Sequence, residues 1–158
     1  MATQLANARA AGADLLDDTA AAVAAADRFM TAGRDAVLRM VARDGKLDAA
    51  LLDREQHSAH GLAWLKVYVA ALHAMQDWAL RLREAGRFGE REELIHRLAF
   101  AEYLARIAGG IPMNQAEIVR AHGLDLVHRD AAGDPGAVLG EGEAVDQLLA
   151  LAEAAGFA

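Results

Sequence analysis

Chemistry in this chain would have to come from a small set of side chains. His57 and His60 lie three residues apart, with Glu55 just before them, and imidazoles one helical turn apart can converge on one ion or share a proton. A metal or acid/base site on Glu55, His57 and His60 is one reading. The simpler one is a pair of partly buried histidines that hydrogen-bond across a helical interior. Glu93 and His96 form a Glu-x-x-His motif, with Glu102 further on. A di-iron carboxylate bundle needs that motif on each of two helices and a further glutamate on each of the other two. A second Glu-x-x-His is absent from the sequence, so Glu93 and His96 are expected as a surface pair.

Other chemistries are excluded more directly. There is no cysteine, which removes thiolate ligands, thiol nucleophiles and disulfides together. Ser58 is the only serine, and it falls mid-helix, where no sharp turn exposes its hydroxyl for a nucleophilic triad. A phosphate loop needs glycines between a strand and a helix, with a lysine and a hydroxyl, whereas Gly109-Gly110 follows a helical stretch. Arg81, Arg83 and Arg87 gather near one helix end, where cations favour the helix dipole.

The segment from Gly109 to Arg120 is different, because two glycines and Pro112 constrain a backbone that carries Gln115, Glu117 and Arg120. Loops held rigid in this way often serve sites. Two readings stand equally: Gln115, Glu117 and Arg120 contact a partner segment or ligand, or the segment is a capped corner between helices.

The elements that must position these residues read as helices. Pro112 and Pro135 are the only prolines, so the strongest helix breakers are missing from the first two thirds of the chain. Leu16, Val23, Phe29, Met30, Val37, Met40 and Val41 recur at helical spacing and predict a helix from about Ala10 to Arg43, with Gly33 as a place to kink or split. Asp44-Gly45-Lys46 is a turn. Leu47 and Asp48 read as staple and N-cap, with Leu52 packing back on Leu47. A second helix is predicted from Asp48 to Ala85, with Gly61 as its weak point and Gly86 as its C-cap. Trp64, Tyr68, Ala71, Met75, Trp78 and Leu82 form its main packing stripe, and His57 and His60 fall on that stripe, pointing inward.

Arg87-Phe88-Gly89 connects to a third helix, Glu90 to Ala108, carrying Leu94, Ile95, Leu98, Tyr103 and Ile107. So short a connection implies antiparallel neighbours. Asn114 and Glu117 make a variant capping box that predicts a short helix after Pro112. The fold class expected is all-α, an antiparallel helical bundle over residues 1–121, followed by a linker over 122–142 and a tail helix over 143–158.

With 158 residues, 54% of them hydrophobic, the chain can bury the core of one domain. A net charge of −7 gives it no long-range attraction for nucleic acid or anionic lipid, and no apolar run reaches the ~20 residues a spanning helix needs. Met1 to Arg9 does not read as a signal peptide. A cytoplasmic setting is expected.

Beyond periodicity, the wording of the chain carries a resemblance. Glu55-Gln56-His57-Ser58-Ala59-His60-Gly61-Leu62-Ala63-Trp64-Leu65, with Tyr68-Val69 and Ala71-Leu72, is one stretch. Gly86-Arg87-Phe88-Gly89 is a second, and Glu102-Tyr103-Leu104-Ala105 leading through Ala108-Gly109-Gly110-Ile111-Pro112-Met113 to Gln115–Arg120 is a third. These resemble the N-terminal helical extension of bacterial (2S)-methylsuccinyl-CoA dehydrogenases, members of the acyl-CoA dehydrogenase superfamily. Ala121 stands where that wording has proline, and the first 45 or so residues carry none of it.

The resemblance implies an accessory domain or subunit of an enzyme that oxidises (2S)-methylsuccinyl-CoA to mesaconyl-CoA. Such an enzyme uses FAD and passes electrons to an electron-transfer flavoprotein. The flavin, the CoA channel and the catalytic base belong to a dehydrogenase body, so no catalytic or flavin-binding residue carries over to this chain. The alternatives are a free-standing helical protein that forms homo-oligomers through an apolar stripe, or a small metal-binding bundle.

Overall fold

The computed structural model describes the backbone of residues 2–114, 117–120 and 124, with side chains from residue 15 onward. The linker and tail helix expected after residue 121 lie outside the described residues apart from Leu124, which is buried in the core.

The chain opens with one long helix, α1 (Ala2–Val41). Its alanine-rich sequence suits a helix because alanine loses no side-chain entropy there. The helix runs through Gly33 without the split considered there, and Ala36 and Val37 on the next turn are buried. A two-residue hairpin follows, β1 (Ala42–Arg43) pairing antiparallel with β2 (Lys46–Leu47). Asp44 and Gly45 between them have φ of 53° and 73°, the left-handed pair that fits the twist of a tight hairpin.

The predicted Asp48–Ala85 helix is two helices, α2 (Ala49–Arg54) and α3 (Gln56–Glu84). Asp48 caps the first, its carboxylate accepting from the N–H groups of Ala50 and Leu51 at 2.9 and 3.1 Å. The Leu51 N–H chiefly holds that carboxyl below its usual range. Leu47 and Leu52 are both exposed, so the expected staple buries little. The break lies at Glu55 (φ −100°, ψ 23°) and not at Gly61. At its far end α3 stops as predicted. Gly86 adopts φ 67°, and Gly86 and Arg87 donate to the Arg83 and Leu82 carbonyls, the two bonds of a Schellman cap.

Gly89 then leads into α4 (Glu90–Gly109), where the Glu92 carboxylate reaches back to the Gly89 N–H at 3.2 Å. α3 is the central helix and packs against both α1 and α4. Thr19 meets Gln76 and Asp27 meets His73, while Tyr68 meets Tyr103 and the Met75 carbonyl lies by His96. Residue numbers thus run in opposite directions across both contacts, and the helices are antiparallel as the short connection implied.

The buried lines differ from the predicted stripes. On α3 the buried residues are Ser58, Gly61, Leu65, Val69, Leu72, Gln76 and Ala79, one position beyond Trp64, Tyr68 and Met75, which flank the core half-buried. The bulkiest residues mark the edge of this face because its centre lies close against α1. Ala22, Ala25 and Ala26 of α1 and Ala79 of α3 are all buried there, and side chains that small let backbones approach. On α4 the correction is larger. His96, Phe100, Leu104 and Ile107 face inward, whereas Leu94, Ile95 and Leu98 are 60, 47 and 71% exposed.

The short helix expected after Pro112 is a second hairpin, β3 (Ile111–Pro112) pairing antiparallel with β4 (Ile118–Val119). Gly110 at φ 126° turns the chain out of α4, Pro112 has no N–H to continue a helix, and Ile111, Ile118 and Val119 are β-branched. Ile111 and Val119 point into the core. Val119 seats on Gly61, where a Cβ would lie 2.5 Å from Val119 Cγ2. Gly61 is therefore a contact point between α3 and β4.

Candidate functional site

The two histidines read as a possible metal pair do not point inward. His57 and His60 are exposed. His60 Nε2 accepts from the indole N–H of Trp64 at 3.0 Å, and Glu55 is bound by Arg54 at 2.8 Å. Among the described residues no three His, Asp or Glu side chains come together to hold an ion. Ser58 is buried beside them. Glu93 and Glu102 are both engaged along α4, by Arg97 at 3.0 Å and Arg106 at 2.6 Å.

His96 is not the surface residue expected of the Glu-x-x-His pair. It is fully buried, and its Nε2 lies 3.0 Å from the Thr19 hydroxyl oxygen. Gln76 donates its amide N–H to the Leu16 carbonyl at 2.8 Å, which turns Oε1 toward Thr19 at 2.7 Å. That oxygen needs the single Thr19 proton, so Thr19 must accept from His96 Nε2–H. Nδ1 then carries a lone pair, and it has no hydrogen-bond partner. Burial first, and the Arg97 charge second, push the His96 pKa down to about 4, against a smaller opposing pull from the Met75 carbonyl. This is a neutral polar tie between the three long helices. Sequence reasoning missed it, although Thr19 and Gln76 each interrupt an apolar face.

The Gly109–Arg120 corner is the remaining candidate. Its turn is closed by Met113 N–H donating to the Glu117 carbonyl at 2.9 Å and by Glu117 N–H donating to Asn114 Oδ1 at 2.9 Å. The Asn114 amide also meets the Glu117 carboxylate. The capping-box signal was real, but its bonds close a hairpin turn. Alternation along β4 sends Val119 inward and leaves Ile118 and Arg120 outward, with Glu117 also exposed. Gln115 lies outside the described residues. The corner thus presents an acid, a β-branched apolar side chain and a guanidinium on a short, braced hairpin. That suits contact with another surface, not bond-making.

No model of a known protein family matches the chain. A curated protein does: 117 residues, 73% of this chain, are 44% identical to (2S)-methylsuccinyl-CoA dehydrogenase of Cereibacter sphaeroides. The chain is similar to a helical piece of that enzyme. It spans about a fifth of the enzyme's length, 21%, so (2S)-methylsuccinyl-CoA dehydrogenase is several times larger than the part matched. Three of the buried polar side chains, Thr19, Gln76 and His96, are tied to one another across the helices, and the Gly109-Gly110 pair lies at the C-terminal end of α4. No helix of the described residues is long and apolar enough to cross a membrane.

Proposed function

We propose that this chain is the N-terminal helical accessory domain, or a separate accessory subunit, of a methylsuccinyl-CoA dehydrogenase-like flavoenzyme. The observation that carries the reading is the 44% identity over 73% of the chain to one part of such an enzyme. The braced corner with its outward Glu117 and Arg120 supports it. In this reading the complete enzyme oxidises (2S)-methylsuccinyl-CoA to mesaconyl-CoA. The dehydrogenase body binds FAD and the CoA ester, supplies the base and passes electrons to an electron-transfer flavoprotein. The helical domain performs none of these steps, and its Gln115, Glu117 and Arg120 contact the body. The enzyme works in the cytoplasm as a homo-oligomer.

The test is to supply the two parts separately. The chain and the remainder of the dehydrogenase, produced as two polypeptides, associate in the proposed arrangement, and activity on (2S)-methylsuccinyl-CoA depends on both. A dehydrogenase body fully active and stable alone, with no affinity for this chain, would sink the proposal.

A further inference from the structure

The outward face of α4 is unusual for a helix that, among the described residues, packs on one side. Leu94, Ile95 and Leu98 are exposed in a row, and at ~100° per residue they lie about 180° from the buried line of His96, Phe100 and Leu104. Arg91 and Glu102 continue the same stripe at its two ends, with side chains 84 and 56% exposed. The order along the helix is therefore cation, three aliphatics, anion, spaced as a coiled-coil seam.

Such a stripe is complementary to itself when reversed. If a second helix lies antiparallel across it, with the two-fold axis midway between residues 96 and 97, Ile95 meets Leu98 of the other copy. Arg91 then meets Glu102 of the other copy, at both ends. A parallel copy would set Arg91 against Arg91 and Glu102 against Glu102. The present partners, Glu92 for Arg91 at 2.8 Å and Arg106 for Glu102 at 2.6 Å, are exposed pairs within one helix, which hold their members weakly and leave them free to re-pair.

We infer that α4 forms an isologous antiparallel dimer contact with a second copy of this chain through Arg91, Leu94, Ile95, Leu98 and Glu102. This goes beyond the accessory-domain reading and does not depend on it. The contact uses the N-terminal half and middle of α4, away from the hairpin corner. Three aliphatic side chains per copy make a small interface, so the association is weak and reversible.

Sedimentation equilibrium of the full chain, up to about 200 µM, tests this where a weak interface still populates a dimer. The wild type is expected to dimerise, and Leu98→Glu to be monomeric with unchanged helical circular dichroism. Arg91→Glu and Glu102→Arg, each alone, set like charges across both ends and should weaken dimerisation about tenfold or more. Mixed together, these two variants should form a heterodimer, because each then meets its opposite. A monomeric wild type, a dimer that survives Leu98→Glu, or a mixture that associates no better than its components would each overturn the proposal. None of these outcomes depends on whether a dehydrogenase body binds.

Discussion

His96 Nε2 of α4 donates to the hydroxyl of Thr19 in α1 across 3.0 Å, in the middle of the bundle. The bond fixes which ring nitrogen carries the proton and leaves Nδ1 buried without a partner. Protonating that nitrogen would put a charge in the core.

Stability should therefore fall with acid in a defined window. The His96 pKa is lowered by folding, so between the unfolded value of about 6.5 and the folded value of about 4 only the unfolded chain takes up this proton. Stability is at its full value above pH 6.5, declines as pH drops toward 4 and then loses nothing further from this group. The loss is on the order of 3 kcal/mol at most. Urea denaturation at several pH values checks this, and a His96→Gln variant should show a flatter profile over the window.

Thr19→Val removes the one hydroxyl that serves both Gln76 and His96. It leaves Oε1 of Gln76 and Nε2–H of His96 buried and unsatisfied, at a cost of about 2–4 kcal/mol. Thr19→Ser keeps the hydroxyl and should lose much less. Equal losses in the two variants, measured by denaturant midpoint at neutral pH, would contradict the network.

Gly61→Ala should destabilise the fold although alanine is the better helix former. The new methyl would overlap both Val119 methyls, at 2.5 and 2.9 Å, and overpacking of this kind costs about 1–3 kcal/mol against the ~1 kcal/mol gained in helix propensity. Gly61→Ala combined with Val119→Ala should be less destabilised than the sum of the single changes. Additive losses in thermal melts would show that the two residues do not meet.

The helices, the Asp48 cap and the Gly86 stop were legible because each rests on local chemistry: absent prolines, a carboxylate beside free N–H groups, a glycine able to take positive φ. The faces were less legible. Leu94, Ile95 and Leu98 are apolar residues at helical spacing on α4, but only packing against α3 decides which side is inside, and there Phe100 and Leu104 are buried. The capping box at Asn114 and Glu117 misled for a related reason, since the same side-chain bond starts a helix or closes a turn. Which one forms depends on Pro112, Gly110 and the seat Gly61 offers Val119. Helical rotation aligns His57 and His60 with Trp64 and Tyr68, and those two rings mark the edge of the buried face, not its centre.

At the corner, Glu117→Arg and Arg120→Glu reverse the two exposed charges of the hairpin while leaving Ile111 and Val119 in the core. Folding stability should change by about 1 kcal/mol or less, chiefly from loss of the exposed Asn114 amide bond to the Glu117 carboxylate, whereas affinity for a dehydrogenase body should drop at least about tenfold in the double variant. Calorimetric titration together with thermal melting separates the two effects.

We propose that this helical chain serves a dehydrogenase body and that the flavin is held on that body. The most direct measurement is titration of the purified chain into the flavin-loaded remainder of the Cereibacter sphaeroides enzyme, followed by calorimetry and by the flavin spectrum of each component. Saturable one-to-one binding is expected, with flavin found only on the body. No binding at about 100 µM, weaker than any specific domain contact of ordinary size, or stoichiometric flavin on the chain alone, would contradict it.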